Sequence, residues 1–312
     1  MSTEVLRSSK KGISKTNPFK KDIPFFILLL PALAVVTIFS YVPMFGIILA
    51  FKENSYGGGL LGAPWAANFG FENFIKIFST KDMLDAIWNT FFLNILGLVI
   101  SFPAPLIFAI LLNEIQVKVF KKTVQTISYL PYFLSWISVT GLVSALFAEY
   151  GAITFFFKSV FDMDIAPLKN PSFFIPLYVF LSVWKSVGWG SIIYLANISS
   201  IDMQLYEAAQ IDGAGHMRQV IHITLPSLIP TTMILLILSL GQMFGSNFDL
   251  VFGLQSVYFE REVIGTVVYK QGLLSGNYGL STALSLMQGI IAVILTFGAN
   301  ALSRKVSQTS LF

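Results

Sequence analysis

Few residues of this sequence have the types and spacing that catalysis or metal binding requires. The two histidines, His216 and His222, are six positions apart, which does not place both on one helix face as a metal site would need. The glycine cluster at 57–59 lacks the lysine and helix that follow the glycines of a phosphate-binding loop, and no such motif occurs elsewhere. The absence of cysteine excludes disulfides and thiolate sites. The sequence argues against an enzyme and predicts that this chain binds no metal and no cofactor.

The composition is that of a membrane protein. Of the 312 residues, 55% are hydrophobic and 12% are charged, whereas roughly 25% are charged in soluble domains. Six windows, one of them interrupted by Lys185, are long enough for transmembrane helices of about 20 residues. We expect an all-α integral membrane protein, because helices satisfy their own backbone groups in lipid. The windows are Ile23–Phe51, Ala86–Asn113, Thr123–Ala148, Asn170–Ile201, Ile223–Phe248 and Gln271–Ser303.

The distribution of basic residues predicts the orientation. Of the 20 lysines and arginines, twelve fall on the side that holds both termini, seven on the other, and Lys185 lies within a window. The positive-inside rule therefore places both termini in the cytoplasm. We expect a basic cytoplasmic tail at 1–22 near anionic lipid, a six-helix membrane domain at 23–305 and a cytoplasmic tail at 306–312. The net charge of +4 then reflects topology and predicts no nucleic-acid partner.

Ionisable residues inside the windows are too few to favour an ion-coupled carrier, which needs them along its path. Lys185 lies within a window and Asp249 near the outer edge of the fifth. Lys185 could line a polar cavity and meet solute, or it could be paired or capped by backbone carbonyls. We favour the structural role, because pairing is the common way to keep such a charge in a membrane.

A polar stretch at 203–226 separates the fourth and fifth windows, on the predicted cytoplasmic side. Its composition predicts a helix over 203–210, a turn at 212–215 and a second short helix that ends at Leu225 and Pro226. The second helix should place Met217, Val220, Ile221 and Thr224 on one face, opposite Arg218, Gln219 and His222. Such an element could dock another protein or pack on lipid headgroups, and the pattern alone leaves both open.

The same stretch resembles a known signature. The EAA motif of permease subunits in bacterial ABC importers, EAA-x3-G-x9-I-x-LP, is matched at every fixed position by Glu207, Ala208, Ala209, Gly213, Ile223, Leu225 and Pro226. In that family the segment forms coupling helices that seat in a cleft of the ATP-binding subunit. The resemblance implies that Glu207 lies at this contact, that Gly213 permits the turn and that Asp212 and Val220 belong to the segment. Val220 departs from many sugar permeases, which carry an aromatic residue there.

The likeness covers most of the chain and is closest to the carbohydrate branch of that family. It includes WKSVGWGSIIYLANIS at 184–199, SNFDLVF at 246–252, NYGLSTALS at 277–285, and Pro230. It implies a bacterial cytoplasmic-membrane importer with a second permease of different sequence, two ATP-binding subunits and an extracytoplasmic solute-binding protein. ATP and Mg would be used by the ATPase subunits and not by this chain. The expected solute is a carbohydrate, most simply an oligosaccharide.

A sugar passage combines aromatic platforms with amide, carboxylate and hydroxyl groups. The candidates by position are Trp184, Lys185, Trp189, Gln242, Asn247, Phe248 and Asp249. The sequence thus predicts a carbohydrate importer's permease. The alternatives are the same machine for an amino acid, peptide or phosphate, and a secondary carrier or membrane scaffold.

Overall fold

The computed structural model describes residues 18–54, 62–162, 168, 170–243, 248–255 and 261–307. These residues are almost entirely helical, and one isolated antiparallel bridge joins Lys52 to Trp65. The α-helices are Pro18–Val36, Glu72–Ser79, Lys81–Leu96, Ala104–Glu114, Lys118–Tyr129, Trp136–Phe147, Ala152–Phe161, Phe174–Ile198, Met203–Ile211, His216–Gln219, Leu225–Gln242, Phe248–Leu254, Ile264–Val268 and Tyr278–Ser307. Several of them continue into short 3-10 or π turns, so that consecutive helices form one long span.

Six helical spans in the described residues are long and apolar enough to cross a membrane, which confirms the predicted number. They are Asp22–Phe51, Lys81–Glu114, Trp136–Phe161, Pro171–Ile198, His216–Gln242 and Tyr278–Ala301. We call them spans 1 to 6. The chain divides into two compact units, Met1–Ile48 and Leu49–Phe312. Within the first unit, the helix Pro18–Val36 carries Pro24 and Pro31 and runs on into a π turn at Thr37–Tyr41.

The predicted third window is wrong in its position. Thr123–Ala148 is not one helix, because the helix Lys118–Tyr129 passes through a 3-10 turn at Leu130–Phe133 and stops at Leu134, whose backbone is extended. Pro131 accounts for part of this break, since proline cannot donate a backbone hydrogen bond. The chain resumes at Trp136, with the Ser135 side chain accepting a hydrogen bond from the Ser138 backbone.

Helical residues reach into both predicted tails, whose boundaries stay predictions. The first helix already begins at Pro18, inside the expected tail at 1–22, and the last helix continues to Ser307. The remainder of both tails, 1–17 and 308–312, lies outside the described residues. Before span 2, a short helix covers Glu72–Ser79.

Small residues bring the helices of the second unit close together. A Cβ at Gly188 of span 4 would lie 2.0 Å from the backbone oxygen of Ser128, and one at Gly190 would lie 2.9 Å from the Pro105 side chain. Membrane helices commonly pack through such residues, because lipid provides little hydrophobic driving force between them. Span 4 therefore lies directly against the helices that contain Ser128 and Pro105.

Candidate coupling segment and cavity

The stretch at 203–226, which we call the coupling segment, begins with a capped helix. The carboxylate of Asp202 accepts a hydrogen bond from the Gln204 backbone at 2.9 Å, and the helix runs over Met203–Ile211. An aspartate in this position satisfies a backbone donor that has no partner within the helix. Glu207 and Ala208 are exposed and Ala209 is half-buried. The predicted first helix is thus confirmed, with the glutamate of the motif accessible.

The helix ends in a Schellman turn centred on Gly213. The backbone N–H of Ala214 donates to the Ala209 carbonyl at 2.8 Å, and that of Gly213 donates to the Gln210 carbonyl at 3.0 Å. Gly213 has φ +73°, a conformation that side chains with a Cβ disfavour, although no atom lies within 4 Å of where a Cβ would stand. The motif therefore requires glycine here for backbone conformation and not for space.

Two side-chain hydrogen bonds brace the turn and the second helix. The buried Gln219 amide donates to the Ala214 carbonyl at 2.9 Å. The hydroxyls of Tyr206 and the buried Thr224 lie 2.8 Å apart, which ties the first helix to the π turn at Val220–Thr224. These hydrogen bonds therefore join the first helix, the turn and the second helix.

The predicted face of the second helix is wrong in part. Thr224 is buried, whereas Met217 and Ile221 are exposed, so these residues do not share one covered face. Gln219, predicted on the opposite side, is buried because its amide satisfies a carbonyl at the end of the preceding helix. Val220 and Ile223 are half-buried, and Asp212 is exposed.

The predicted stop at Leu225 and Pro226 is also wrong. The helix His216–Gln219 continues through a π turn at Val220–Thr224 directly into Leu225–Gln242. Leu225 is α-helical, and its backbone N–H donates to the Val220 carbonyl. A wide turn accommodates the proline ring, which would otherwise clash with a carbonyl of the preceding turn. The second helix of the coupling segment is therefore the first part of span 5.

Exposed apolar side chains cover much of the segment. Ile211 is 88% exposed and Met217 is 70% exposed, and both are interspersed with exposed polar residues. The exposed apolar residues are Met203, Leu205, Ile211, Met217 and Ile221. At its start the second helix also contacts the end of span 2, through the His216 ring and the Glu114 carboxylate. An apolar surface on a polar connection marks an interaction site.

A cavity of about 470 Å³ lies among spans 2, 3, 4 and 5 and the turn at Leu130–Phe133. Its lining combines aromatic side chains with small hydroxyls, and the described residues that line it include no charged side chain. Tyr132 and Trp189 stack with ring centroids 4.6 Å apart and planes 7° apart. The polar and aromatic lining residues are Asn94, Ser101, Phe102, Tyr132, Trp136, Tyr178, Ser182, Ser186, Trp189, Tyr194 and Ser239.

The structure brings only some of the predicted passage residues to this cavity. Trp189 lines it, whereas Trp184 packs against a buried core cluster. Phe248 stacks on Phe252 with centroids 5.3 Å apart. Gln242 and Asp249 are exposed and do not line the cavity. Asn247 lies outside the described residues.

Lys185 is held by backbone carbonyls, as the favoured interpretation expected. Its ammonium donates to the backbone carbonyl oxygen of Tyr132 at 2.9 Å and to that of Leu134 at 2.5 Å. The sequence did not identify Tyr132 and Trp136 as cavity residues. Pro131 was the available signal, because it cannot donate to the preceding turn and lies where the α-helix changes to a 3-10 turn.

Comparisons with known proteins identify the family. The family model for the binding-protein-dependent transport system inner membrane component matches residues 101–308 of this chain. Protein LplB of Bacillus subtilis is 38% identical, covering 97% of this chain and 95% of the relative. The polygalacturonan/rhamnogalacturonan transport system permease protein YteP of Bacillus subtilis is 37% identical, covering 92% and 89%.

A solved structure agrees with these relatives. A chain of the bacterial alginate ABC transporter, in complex with alginate pentasaccharide-bound periplasmic protein, superposes with a TM-score of 0.84 and 33% identity, covering 94% of this chain and 98% of that chain. The EAA match, the six spans and these similarities agree. The chain is therefore a multi-pass protein of the cytoplasmic membrane and belongs to the family of inner-membrane components of binding-protein-dependent transport systems, the permeases of bacterial ABC importers.

Proposed function

We propose that this chain is one permease of an ATP-driven importer for a carbohydrate, most simply an oligosaccharide. We take the solute class from two similar proteins, because YteP is named for polygalacturonan/rhamnogalacturonan transport and the solved transporter for alginate. The cavity adds a physical reason, because stacked aromatic rings suit the apolar faces of sugars and the surrounding hydroxyls suit their polar edges. Among the described residues that line the cavity, the polar groups are hydroxyls, an amide and ring N–H groups, which are the partners that sugar hydroxyls need.

The coupling segment carries the mechanical part of the proposal. It is braced by Gln219 and by the pair Tyr206 and Thr224, it is continuous with span 5, and its exposed surface is partly apolar. In the proposed orientation both termini and this segment lie in the cytoplasm, where an ATP-binding subunit binds the segment around Glu207. Closure of two ATP-binding subunits on ATP and Mg would then move span 5 and expose the cavity to the outside.

The remaining partners complete the proposed assembly. A second permease of different sequence would form the other half of the passage, and an extracytoplasmic solute-binding protein would deliver the sugar. This chain supplies shape and stiffness, while the nucleotide chemistry belongs to the ATP-binding subunits.

The test is ATP hydrolysis by the complete importer in lipid nanodiscs, with its binding protein and a panel of glycans. We expect hydrolysis to rise with a cognate oligosaccharide. Glu207→Gln should lower that stimulation about tenfold, because hydrogen bonds to charged groups contribute about 1.5–3 kcal/mol. Glu53→Gln, which changes an exposed acid before span 2, is the matched control and should behave as wild type.

Each failure of this experiment has a separate meaning. Stimulation by an amino acid or phosphate, and not by any glycan, would show that the solute is not a carbohydrate. Uptake that persists without ATP-binding subunits would indicate a secondary carrier. Full stimulation in Glu207→Gln would remove this residue from the coupling contact.

A further inference from the structure

The helix break beside the cavity leaves backbone carbonyls that no longer belong to a helix. The chain is extended at Leu134 (φ −76°, ψ 139°) and helical again from Trp136. An unpaired carbonyl in a membrane interior costs several kcal/mol, so non-helical backbone at this depth needs partners from elsewhere in the protein. The break must therefore be supported by another element.

Lys185 of span 4 provides that support. Its ammonium donates to the carbonyls of Tyr132 and Leu134, which lie on either side of Phe133. The same ammonium lies 5.6 Å from the Tyr132 ring centroid and 5.0 Å from that of Trp136, within the range of cation–π attraction. One charge thus contacts the backbone and the rings on both sides of the break. Among the described residues, no ion pair involves Lys185.

The residues that Lys185 holds are also a wall of the cavity. Tyr132, Trp136 and Trp189 all line it. Tyr132 stacks on Trp189, and Phe133 meets Trp189 edge-on with centroids 5.5 Å apart. Trp189 lies one helical turn after Lys185, so one face of span 4 supplies both an aromatic platform and the charge that fixes its partner ring.

We propose that Lys185 is a positioning residue for solute transfer: by binding the carbonyls of the helix break, it holds Tyr132 stacked on Trp189 as the aromatic wall of the cavity. It does not itself contact the solute. The inference rests on the proposed function, because it assigns the wall to the sugar's path. Its consequence is that the charge of Lys185 acts on transfer through the cavity and not on docking of the binding protein.

The experiment uses the complete importer in proteoliposomes with sugar-loaded binding protein. Lys185→Met should lower the maximal transport rate about tenfold, while the binding-protein concentration for half-maximal rate changes less than about twofold, because a misplaced contact affects turnover more than encounter. Lys185→Arg, which retains donors for both carbonyls, should restore most of the rate. Lys158→Met removes an exposed lysine and should transport as wild type.

A second readout follows the wall directly. Because the chain contains no cysteine, Ser186→Cys introduces a single thiol on the cavity lining. Its labelling by a water-soluble maleimide should become faster by about threefold or more in Lys185→Met, as the stacked rings separate. Lys185→Arg should return the labelling toward the rate of Ser186→Cys alone.

The outcomes separate the two proposals. A wild-type importer that moves no sugar would refute the proposed function. A wild-type importer that works, with Lys185→Met showing an unchanged rate and unchanged labelling, would refute the positioning role. If Lys185→Met does not assemble, Tyr132→Leu decides, because it keeps the carbonyl and removes the ring: a reduced maximal rate supports the proposal and a normal rate overturns it.

Discussion

The turn at Gly213 and the break at Leu134 both interrupt a helix, yet their backbone groups find partners in different ways. At Gly213 the partners are local, since Ala214 and Gly213 donate to carbonyls five and three residues earlier. At Leu134 the partner is the side chain of Lys185, 51 residues away along the chain. The first interruption is built into its own sequence, and the second depends on helix packing.

This difference predicts different kinds of sensitivity. A local turn tolerates changes in its surroundings but not in its one glycine, whereas a break supported from span 4 fails whenever the two helices move apart. It also matches the proposed roles of the two regions. A segment that transmits force benefits from being rigid on its own, while a cavity wall can follow the movement of its spans.

The largest effect should come from separating span 4 from the helix Lys118–Tyr129. Gly188→Ala would place a Cβ 2.0 Å from the Ser128 backbone oxygen, and neither backbone can move aside cheaply. We expect destabilisation at the upper end of the roughly 1–3 kcal/mol found for overpacking. The midpoint of thermal unfolding of the purified complex measures it.

The matched control is Gly141→Ala, in the helix Trp136–Phe147. No atom lies within 4 Å of the position of its new Cβ. The midpoint of thermal unfolding should therefore equal or exceed that of wild type, because alanine is the better helix former. Equal midpoints for Gly188→Ala and wild type would show that the support of the break does not depend on this close approach.

A smaller effect is expected at the local turn. Gly213→Ala forces a Cβ into a left-handed conformation, which costs about 1–2 kcal/mol, and nothing is crowded by the added methyl group. We expect a modest loss of stability and a clear loss of solute-stimulated ATP hydrolysis, because the second helix of the coupling segment would shift. Gly213→Asn should be milder, since asparagine tolerates this conformation.

Gly215→Ala serves as the control for this prediction. Gly215 has an extended backbone (φ −63°, ψ 163°) and open space around it, so alanine fits without strain. If Gly213→Ala and Gly215→Ala reduced ATP hydrolysis equally, the positive φ would not explain the glycine of the motif.

The same contrast explains what the sequence could predict. Charge and length identify six spans, and the spacing of Gly213 from the first helix identifies the turn, because both depend on nearby residues. The continuous helix through Pro226 was missed, since a proline normally signals an end and only the π turn at Val220–Thr224 accommodates it. The burial of Gln219 was missed because its partner is a carbonyl that becomes available only once the turn has formed.

The cavity was less predictable than the segment. Trp189 was identified from its type and span, but Tyr132 reaches it only because the third window breaks at Leu134 and its helix packs on Gly188. Trp184 has the same residue type and span as Trp189, yet it packs against the core, because it lies on another side of the helix. Composition cannot distinguish the two tryptophans without knowledge of which helices are neighbours.

The smallest expected effect tests whether the coupling segment is as rigid as its bracing indicates. Tyr206→Phe and Thr224→Val each remove one hydroxyl of the 2.8 Å pair, and each should cost about 0.5–1.5 kcal/mol. Tyr206→Phe should cost more, because it leaves the buried Thr224 hydroxyl without its partner, whereas the Tyr206 hydroxyl left by Thr224→Val is only half-buried. In the double variant the losses should not add, since both remove the same interaction. Unfolding midpoints and solute-stimulated ATP hydrolysis of the four proteins complete the cycle. Additive losses would mean that the two hydroxyls stabilise the segment independently, and that Gly213 and Gln219 alone hold the two helices together.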